Sequence, residues 1–322
     1  MSALSLAHSL MTSLNKLVTP GLKKRTAYRL FNVELKQRIP LSPSMTRLVF
    51  TGPDVQEMNT LAADQRIKLF FPSPDGSASD LPDHDWHAAR RALPVEKRPA
   101  MRTYTIRQLR AEQAEVDVDF VLHGVNGPAS AWATQARVGD QLQLVAPDRN
   151  YAGSTGGYEW QPPEGMRQVL LIGDETALPA IAGILEQLAD QPDPPEVQAF
   201  IEVPHEADCL PLRCGPTTQL HWLPRDLLRQ HHGEGMLHAV RELAKLPAAT
   251  VGSKKNKALE NVDIERDILW ERASQANGEF YVWVAGESAA VISIRRHLIN
   301  ERGLDRRAIT LMGYWRLGRS LE

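Results

Sequence analysis

The stretch Arg102-Thr103-Tyr104-Thr105-Ile106-Arg107, followed at strand-plus-turn distance by Asp119-Phe120-Val121-Leu122-His123-Gly124-Val125-Asn126-Gly127-Pro128-Ala129-Ser130, decides how the rest of the chain is read. Its first segment alternates as a half-buried strand does, so that Arg102, Tyr104 and Ile106 share one face and Thr103, Thr105 and Arg107 the other. An aromatic ring, hydroxyls and two guanidinium groups are thereby fixed within six residues. A flavin needs that set: a flat surface for the isoalloxazine, a donor near its reactive edge, for which Thr105 is the candidate, and a cation for the pyrophosphate. The second segment ends in Gly-Pro-Ala-Ser, where glycine lets the backbone come close and proline suits the first position of a helix. A helix opening there points free N–H groups at the same pyrophosphate.

Working outward, the segments Phe31 to Ile39, Thr46 to Thr51, Arg66 to Phe71, Val116 to Leu122 and Gln141 to Ala146 carry apolar alternation or short apolar runs, separated by Pro, Gly, Asp or Ser. With the opening strand they make six, which predicts a small antiparallel barrel. Residues 72–100 interrupt it, rich in Pro, Asp, Ala and Arg and without sustained period, and read as a long functional or disordered excursion.

Beyond Tyr151 the pattern changes. Residues 153–166, with Pro162 and Pro163, read as a linker. Val169 to Ile172 is a continuous apolar run, followed by Gly173-Asp174-Glu175-Thr176 and then by Leu178, Ile181, Leu185 and Leu188 at helical spacing. Further strands are expected at Val197 to Val203, Leu220 to Leu223, Phe280 to Val284 and Ile309 to Tyr314. Helices are expected at Leu237 to Leu246 and around Val291, Ile294 and Leu298. Strands alternating with helices predict a parallel sheet covered on both faces. Residues 250–263, carrying Gly-Ser-Lys-Lys-Asn-Lys, read as a mobile loop.

The motifs Arg-x-Tyr-Thr-x-Arg and Gly-Pro-Ala-Ser-x-Trp resemble those of the siderophore-interacting proteins, a branch of the ferredoxin–NADP reductase superfamily that uses FAD. Gly173-Asp174-Glu175-Thr176-Ala177-Leu178-Pro179-Ala180, Ala285-Gly286-Glu287 and the closing Gly313-Tyr314-Trp315-Arg316 follow in that family's order. The resemblance implies a ferredoxin reductase-like pair: an FAD-binding antiparallel β-barrel over 27–152, after an N-terminal extension of 1–26, and an α/β domain over 167–322 for the nicotinamide nucleotide. On this reading the FAD candidates are Arg102, Tyr104, Thr105 and Arg107 on the strand. Asp119, Val121 and His123 follow before the turn, and Gly127, Ala129 and Ser130 at the helix start.

In an open parallel sheet, ligands bind at the carboxyl ends of the strands. The chain lacks a Gly-x-Gly-x-x-Gly there, and the superfamily resemblance makes Asp174, Glu175, Thr176 and Ala177 the nicotinamide-nucleotide turn, with Ala285, Gly286 and Glu287 as the second. NADPH needs a cation for its extra phosphate, which Arg213, Arg225, Arg295 or Arg296 could supply, while Glu202 could equally favour the free ribose hydroxyl of NADH. The resemblance favours NADPH. Ferric siderophores are commonly anionic or rich in oxygen acceptors, so Lys68, which matches the family's basic position, is the substrate candidate, with Arg149 and Arg316 completing a basic rim. Trp315 either covers the flavin or packs the terminal strand.

Length and composition agree with this plan. At 322 residues the chain exceeds a typical single core. It is 43% hydrophobic and 24% charged, and its 37 basic and 39 acidic side chains leave a net charge of −2, so nothing global draws it to nucleic acid or anionic lipid. Cys209 and Cys214 are too few for a disulfide framework and fit a reducing compartment. The apolar run at the N-terminus precedes its charges, unlike a secretory signal, and no run reaches membrane-spanning length. A cytoplasmic monomer is expected. No His, Cys or carboxylate cluster has ligand spacing, and His231, His232 and His238 read as surface, so no resident metal is expected. The reading is a ferric-siderophore reductase in which NAD(P)H reduces FAD and the flavin reduces chelated Fe(III), without an acid–base residue. The alternatives are a general NAD(P)H diaphorase or electron-transfer partner, and a non-enzymatic siderophore-binding protein.

Overall fold

In the computed structural model, which describes residues 26–125, 127–247, 268–274 and 278–318, the chain forms two sheets. The first is wholly antiparallel, from β1 (Tyr28–Ser42), β2 (Met45–Thr51), β3 (Arg66–Phe71), β4 (Ala100–Thr105), β5 (Gln108–Arg110), β6 (Glu115–Val121) and β7 (Gln141–Pro147), in the order β4-β3-β7-β1-β2-β6-β5. Alternation makes it curl around its apolar side: in β1, Phe31, Val33 and Leu35 are buried while Asn32, Glu34 and Lys36 are exposed. These side chains meet Leu48, Phe50, Leu69, Phe71 and Phe120 in one core, at about 1.5–3 kcal/mol for each large side chain removed from water.

The strand at the opening motif starts at Ala100 and ends at Thr105, so Arg107 lies beyond it, and β5 is a short strand that the alternation did not reveal. The excursion over 72–100 is also better ordered than expected. It contains α1 (Trp86–Ala92), and Leu81, Trp86, Ala89 and Leu93 cover Phe70, Leu30 and Val145 on the outside of the barrel. After β6 comes α2 (Pro128–Gln135), whose Ala129, Ala133 and Trp132 plug one side of the barrel core, Trp132 stacking on Phe50 at 6.1 Å.

The second sheet is built from β8 (Gln168–Gly173), β9 (Glu196–Val203), β10 (Thr218–Pro224), β11 (Trp270–Glu271), β12 (Phe280–Glu287) and β13 (Ile309–Trp315), in the order β10-β9-β8-β12-β13-β11. Every pairing is parallel except β11 with β13, which is antiparallel, so the sheet is mixed where a purely parallel one was expected. Two residues are too short a strand to show a period. Helix α3 (Leu178–Ala189) packs Ile181, Ile184, Leu185 and Leu188 on one face of the sheet. After β10 come α4 (Arg225–Leu228) and α5 (Glu234–His238), the latter continuing as a wider π turn over Ala239–Leu243 in place of the expected uniform helix. With α6 (Ser288–Arg296) it covers the opposite face, through Met236, Val240, Val291 and Ile294.

The halves are joined by more than the chain. Met45, at the start of β2, is buried in the core of the second sheet, with Leu41 beside it. Asp208 accepts hydrogen bonds from Ser42 Oγ at 2.6 Å and Ser44 N at 2.9 Å. The expected linker is docked as well: Asp64 Oδ2 accepts the N–H groups of Glu159 and Trp160 at 2.8 and 2.9 Å, and Glu159 Oε1 accepts from Arg66 at 2.8 Å and from Trp270 Nε1 at 3.0 Å. The Arg66 guanidinium lies 4.3 Å above the Trp270 ring. Among the described residues no helix is long and apolar enough to cross a membrane. The expected loop at 250–263 and residues 1–25 of the N-terminal extension lie outside the described residues.

Candidate functional site

The edge strand β4 carries the first group of candidates. Its register pairs Tyr104 with Ile67 and Arg102 with Leu69, so both point to the barrel side, while Thr103 and Thr105 share the outer face with Lys68 and Arg66. Tyr104 is half-buried, its ring 4.2 Å from that of Phe120 and 6.4 Å from that of Phe71, and burial holds its phenol well above the ordinary range. Arg102, beside it, donates to the carbonyl of Met101 at 2.8 Å.

Two candidates have other partners. Arg107, expected to serve the pyrophosphate, gives its guanidinium to Glu186 on α3, with Nη1 2.9 Å from Oε2. Asp119 is gripped by Arg47 at 2.7 and 2.9 Å and lies 3.9 Å from Arg107. Arg47, Asp119, Arg107 and Glu186 thus form a chain of charges from the barrel to the second sheet, a pairing between residues too distant in sequence to be read from a motif.

At the end of β6, Val121 is half-buried and His123 beyond it is exposed, and Ser130 Oγ accepts from His123 N at 3.3 Å and donates to the Gly124 carbonyl at 2.5 Å, fixing the turn. Gly127 is the residue before α2, Pro128 opens the helix, and no side chain caps it. The N–H groups of Ala129 and Ser130 belong to that first turn, which offers them no intrahelical acceptor, and a Cβ on Gly127 would meet nothing within 4 Å. A half-exposed aromatic ring, an adjacent guanidinium and an uncapped helix start with open backbone fit a flavin and its pyrophosphate.

The second group of candidates lies at the carboxyl ends of β8 and β12. Asp174 is buried and ties three strand ends together. Its Oδ1 accepts from Thr176 N at 2.9 Å and Thr176 Oγ1 at 2.5 Å, and its Oδ2 from Glu287 N at 2.8 Å and Trp315 Nε1 at 2.7 Å. Burial, aided by the charge of Glu175, pushes its carboxyl up to about 7. Gly286 has φ +154°, and a Cβ there would sit 2.6 Å from Asp174 Oδ2. Gly286→Ala is therefore expected to destabilise by about 2 kcal/mol or more; a melting temperature within a degree of wild type would refute the close approach. Glu287 caps α6, accepting from Ala289 and Ala290 N–H at 2.7 and 3.0 Å. Ala177 and Ala285 are fully buried members of the core, which leaves Thr176 as the half-exposed side chain of the turn.

Glu175 pairs bidentately with Arg225 at 2.8 Å, and Arg225 also reaches Glu202 at 3.1 Å. Glu202 is wholly buried and accepts the N–H groups of Gly233 and Met236 at 2.8 and 3.1 Å, so it is not presented to a ribose. The other cations considered for a second phosphate lie elsewhere. Arg213 pairs with Asp190 at 2.7 Å, Arg295 with Glu271 at 2.7 Å, and Arg295 and Arg296 close the far end of α6.

On the acceptor side, Ile67, Leu69 and Phe71 face the barrel core, so Lys68 projects from the outer face of β3. Its ammonium is half-buried and has no ion pair among the described residues. Burial, with the nearby positive charges of Arg66 and Arg90, lowers its pKa. That grouping of Lys68 with Arg66 and Arg90 could not be read from the motif, since Arg90 belongs to α1. Arg149 is exposed after β7, its N–H donating to Glu57 O at 2.8 Å, and Arg316 follows Trp315 at the end of β13. Trp315 does more than pack the terminal strand: besides donating to Asp174, it meets His232 edge-on at 5.1 Å. Among the described residues, no three His, Cys, Asp or Glu side chains are grouped to hold a metal ion.

A barrel-like antiparallel sheet docked on a mixed, mainly parallel sheet, with these two sites, is the ferredoxin reductase-like fold; a ferredoxin reductase of a carbazole 1,9a-dioxygenase system shares it at 14% identity, with a TM-score of 0.57 over 89% of this chain and 70% of that one. Family models for the siderophore-interacting FAD-binding domain and for siderophore-interacting protein match residues 34–151 and 166–318, and the chain belongs to the siderophore-interacting protein family. An uncharacterised protein of Mycobacterium tuberculosis is 32% identical over 294 residues, 88% of each chain. The ferric vibriobactin reductase ViuB of Vibrio cholerae is 28% identical over 284 residues, again 88% of each. A crystal structure of a siderophore utilization protein from T. fusca superposes with a TM-score of 0.68 at 27% identity, covering 92% of this chain and 96% of that one.

Proposed function

We propose that this chain is an NAD(P)H-dependent, FAD-containing ferric-siderophore reductase. The carrying observation is the half-buried ammonium of Lys68, without an ion pair among the described residues and near the positive charges of Arg66 and Arg90, one strand away from the flavin candidates of β4. A cation held out of water without a counter-charge is stabilised by an arriving anion. A ferric chelate rich in oxyanions is such an anion, and the relative ViuB, by its name, reduces one.

Bound FAD supplies the conversion of a two-electron donor into single electrons, which no side chain here can do. Tyr104 and Arg102 orient it, and the first turn of α2 receives its pyrophosphate. Thr176, at the strand ends of the second sheet, meets the nicotinamide nucleotide. One NAD(P)H then accounts for two Fe(III) chelates reduced to Fe(II), with one proton released. Fe(II) binds oxygen-rich chelators less tightly than Fe(III), so reduction frees the metal.

Anaerobic titration of the FAD-loaded protein with NADH or NADPH, followed by a ferric catecholate, a ferric hydroxamate, simple ferric salts or a ferredoxin, tests the reading. Bleaching of the flavin by nucleotide and its return on adding ferric chelate are expected. Faster return with a ferredoxin or with simple salts would favour the general diaphorase. Lys68→Ala should raise KM for an anionic ferric chelate about tenfold, roughly 1.4 kcal/mol, while leaving KM for the nucleotide within twofold. Equal effects on both would remove Lys68 from the acceptor site.

A further inference from the structure

We infer that the nucleotide donor is NADH, and that the knot formed by Glu175, Arg225 and Glu202 excludes the 2′-phosphate of NADPH. The inference rests on the donor reading above and narrows it. In an open parallel sheet that binds a dinucleotide beyond its strand ends, the adenosine ribose lies toward the strand next to the phosphate turn, and a 2′-phosphate there is matched by an arginine. Here that place is the carboxyl end of β9 and β10.

Arg225 stands at that place, but its guanidinium is already shared. Nη1 and Nη2 donate to Glu175 at 2.8 Å each, and Nη1 also donates to Glu202 at 3.1 Å. The Glu175 and Glu202 side chains are only 6% and 0% exposed. Turning Arg225 toward a phosphate would leave two buried carboxylates without their counter-charge, in a low-dielectric site. Glu202 also anchors the loop over the strand ends through Gly233 and Met236 N–H, so it cannot follow the arginine outward.

The exposed charges around this knot are mainly negative. The segments that follow β9 and β10 add the exposed carboxylates of Glu206, Asp226 and Glu234, Asp226 Oδ1 accepting the N–H of Glu206 at 3.2 Å. Arg229, exposed at the end of α4 with φ +53°, is a cation set against these carboxylates. The imidazole of His205 is held by Asp226 at 3.2 Å. A 2′-phosphate brings close to two further negative charges, whereas a ribose hydroxyl brings none.

The full-length protein should be titrated calorimetrically with 5′-ADP and with 2′,5′-ADP, which differ only in the 2′-phosphate, and the FAD-loaded protein reduced anaerobically with NADH and NADPH. The 5′-ADP and NADH members are expected to bind and react at least tenfold better. Glu175→Gln, which relieves Arg225 of one charge, should narrow that ratio to about threefold. Should 2′,5′-ADP and NADPH match or exceed their partners, the exclusion is wrong while the reductase reading stands. Flavin that neither nucleotide reduces would overturn both.

Discussion

Arg102→Ala combined with Tyr104→Ala is expected to give a protein that purifies without yellow colour and binds added FAD at least a hundredfold more weakly. A charge-assisted hydrogen bond to phosphate contributes about 1.5–3 kcal/mol, and aromatic stacking about 0.5–1.5 kcal/mol, which together amount to two or three decades in affinity. The loss is separable from damage to the barrel. Tyr104 packs on Phe120 at 4.2 Å, so its removal also lowers stability, whereas Tyr104→Phe keeps that contact and the flat face. The phenylalanine variant should stay yellow. Wild-type FAD affinity in the double variant, measured by flavin fluorescence quenching, would show that the flavin lies elsewhere.

Asp174→Ala should lower the melting temperature by about 10 °C, because the buried donors of Thr176, Glu287 and Trp315 lose their acceptor. Each unsatisfied buried donor costs about 1–3 kcal/mol, and one kcal/mol shifts a domain of this size by about 2–4 °C. The pH dependence has a definite sign. The Asp174 carboxyl is raised to about 7 in the folded chain, by burial first and then by Glu175. Between the ordinary carboxylate range and that value the folded state holds a proton that the unfolded state has released, so stability falls as pH rises through the window. Asp174→Asn has no such proton. Its melting temperature should therefore vary less between pH 5 and 8 than that of wild type, and parallel profiles would show that Asp174 does not titrate there.

The parts of the molecule that the sequence makes legible are those governed by local periodicity. Phe31, Val33 and Leu35 alternate because one face of β1 is wet, and Ile181, Leu185 and Leu188 recur because one side of α3 meets the sheet. Both sheets follow from such patterns. What stays hidden is set by partners far away in the chain. Trp270 and Glu271 form a strand only because Met312 and Leu311 are there to pair with. Trp86 and Leu81 look like punctuation until Phe70 and Leu30 present an apolar outer wall. The same holds within the candidate sites. Tyr104, Gly127 and Thr176 occupy turn and edge positions that a motif can announce. The acids and arginines around them could be sorted only in three dimensions: Arg107 goes to Glu186, Arg225 to Glu175 and Glu202, while Lys68 has no ion pair among the described residues.

The burial of Met45 in the core of the second sheet bears on how such a protein can change over time. A residue from the first hairpin that completes the other half's interior acts as a key in a lock. A barrel borrowed from a cousin would bring a different key, so the two halves are inherited as a matched set. Substitutions at Met45 or Leu41 call for answering changes in the core that these residues share with the second sheet, and recombination at the connecting segment is penalised even where each piece is sound by itself.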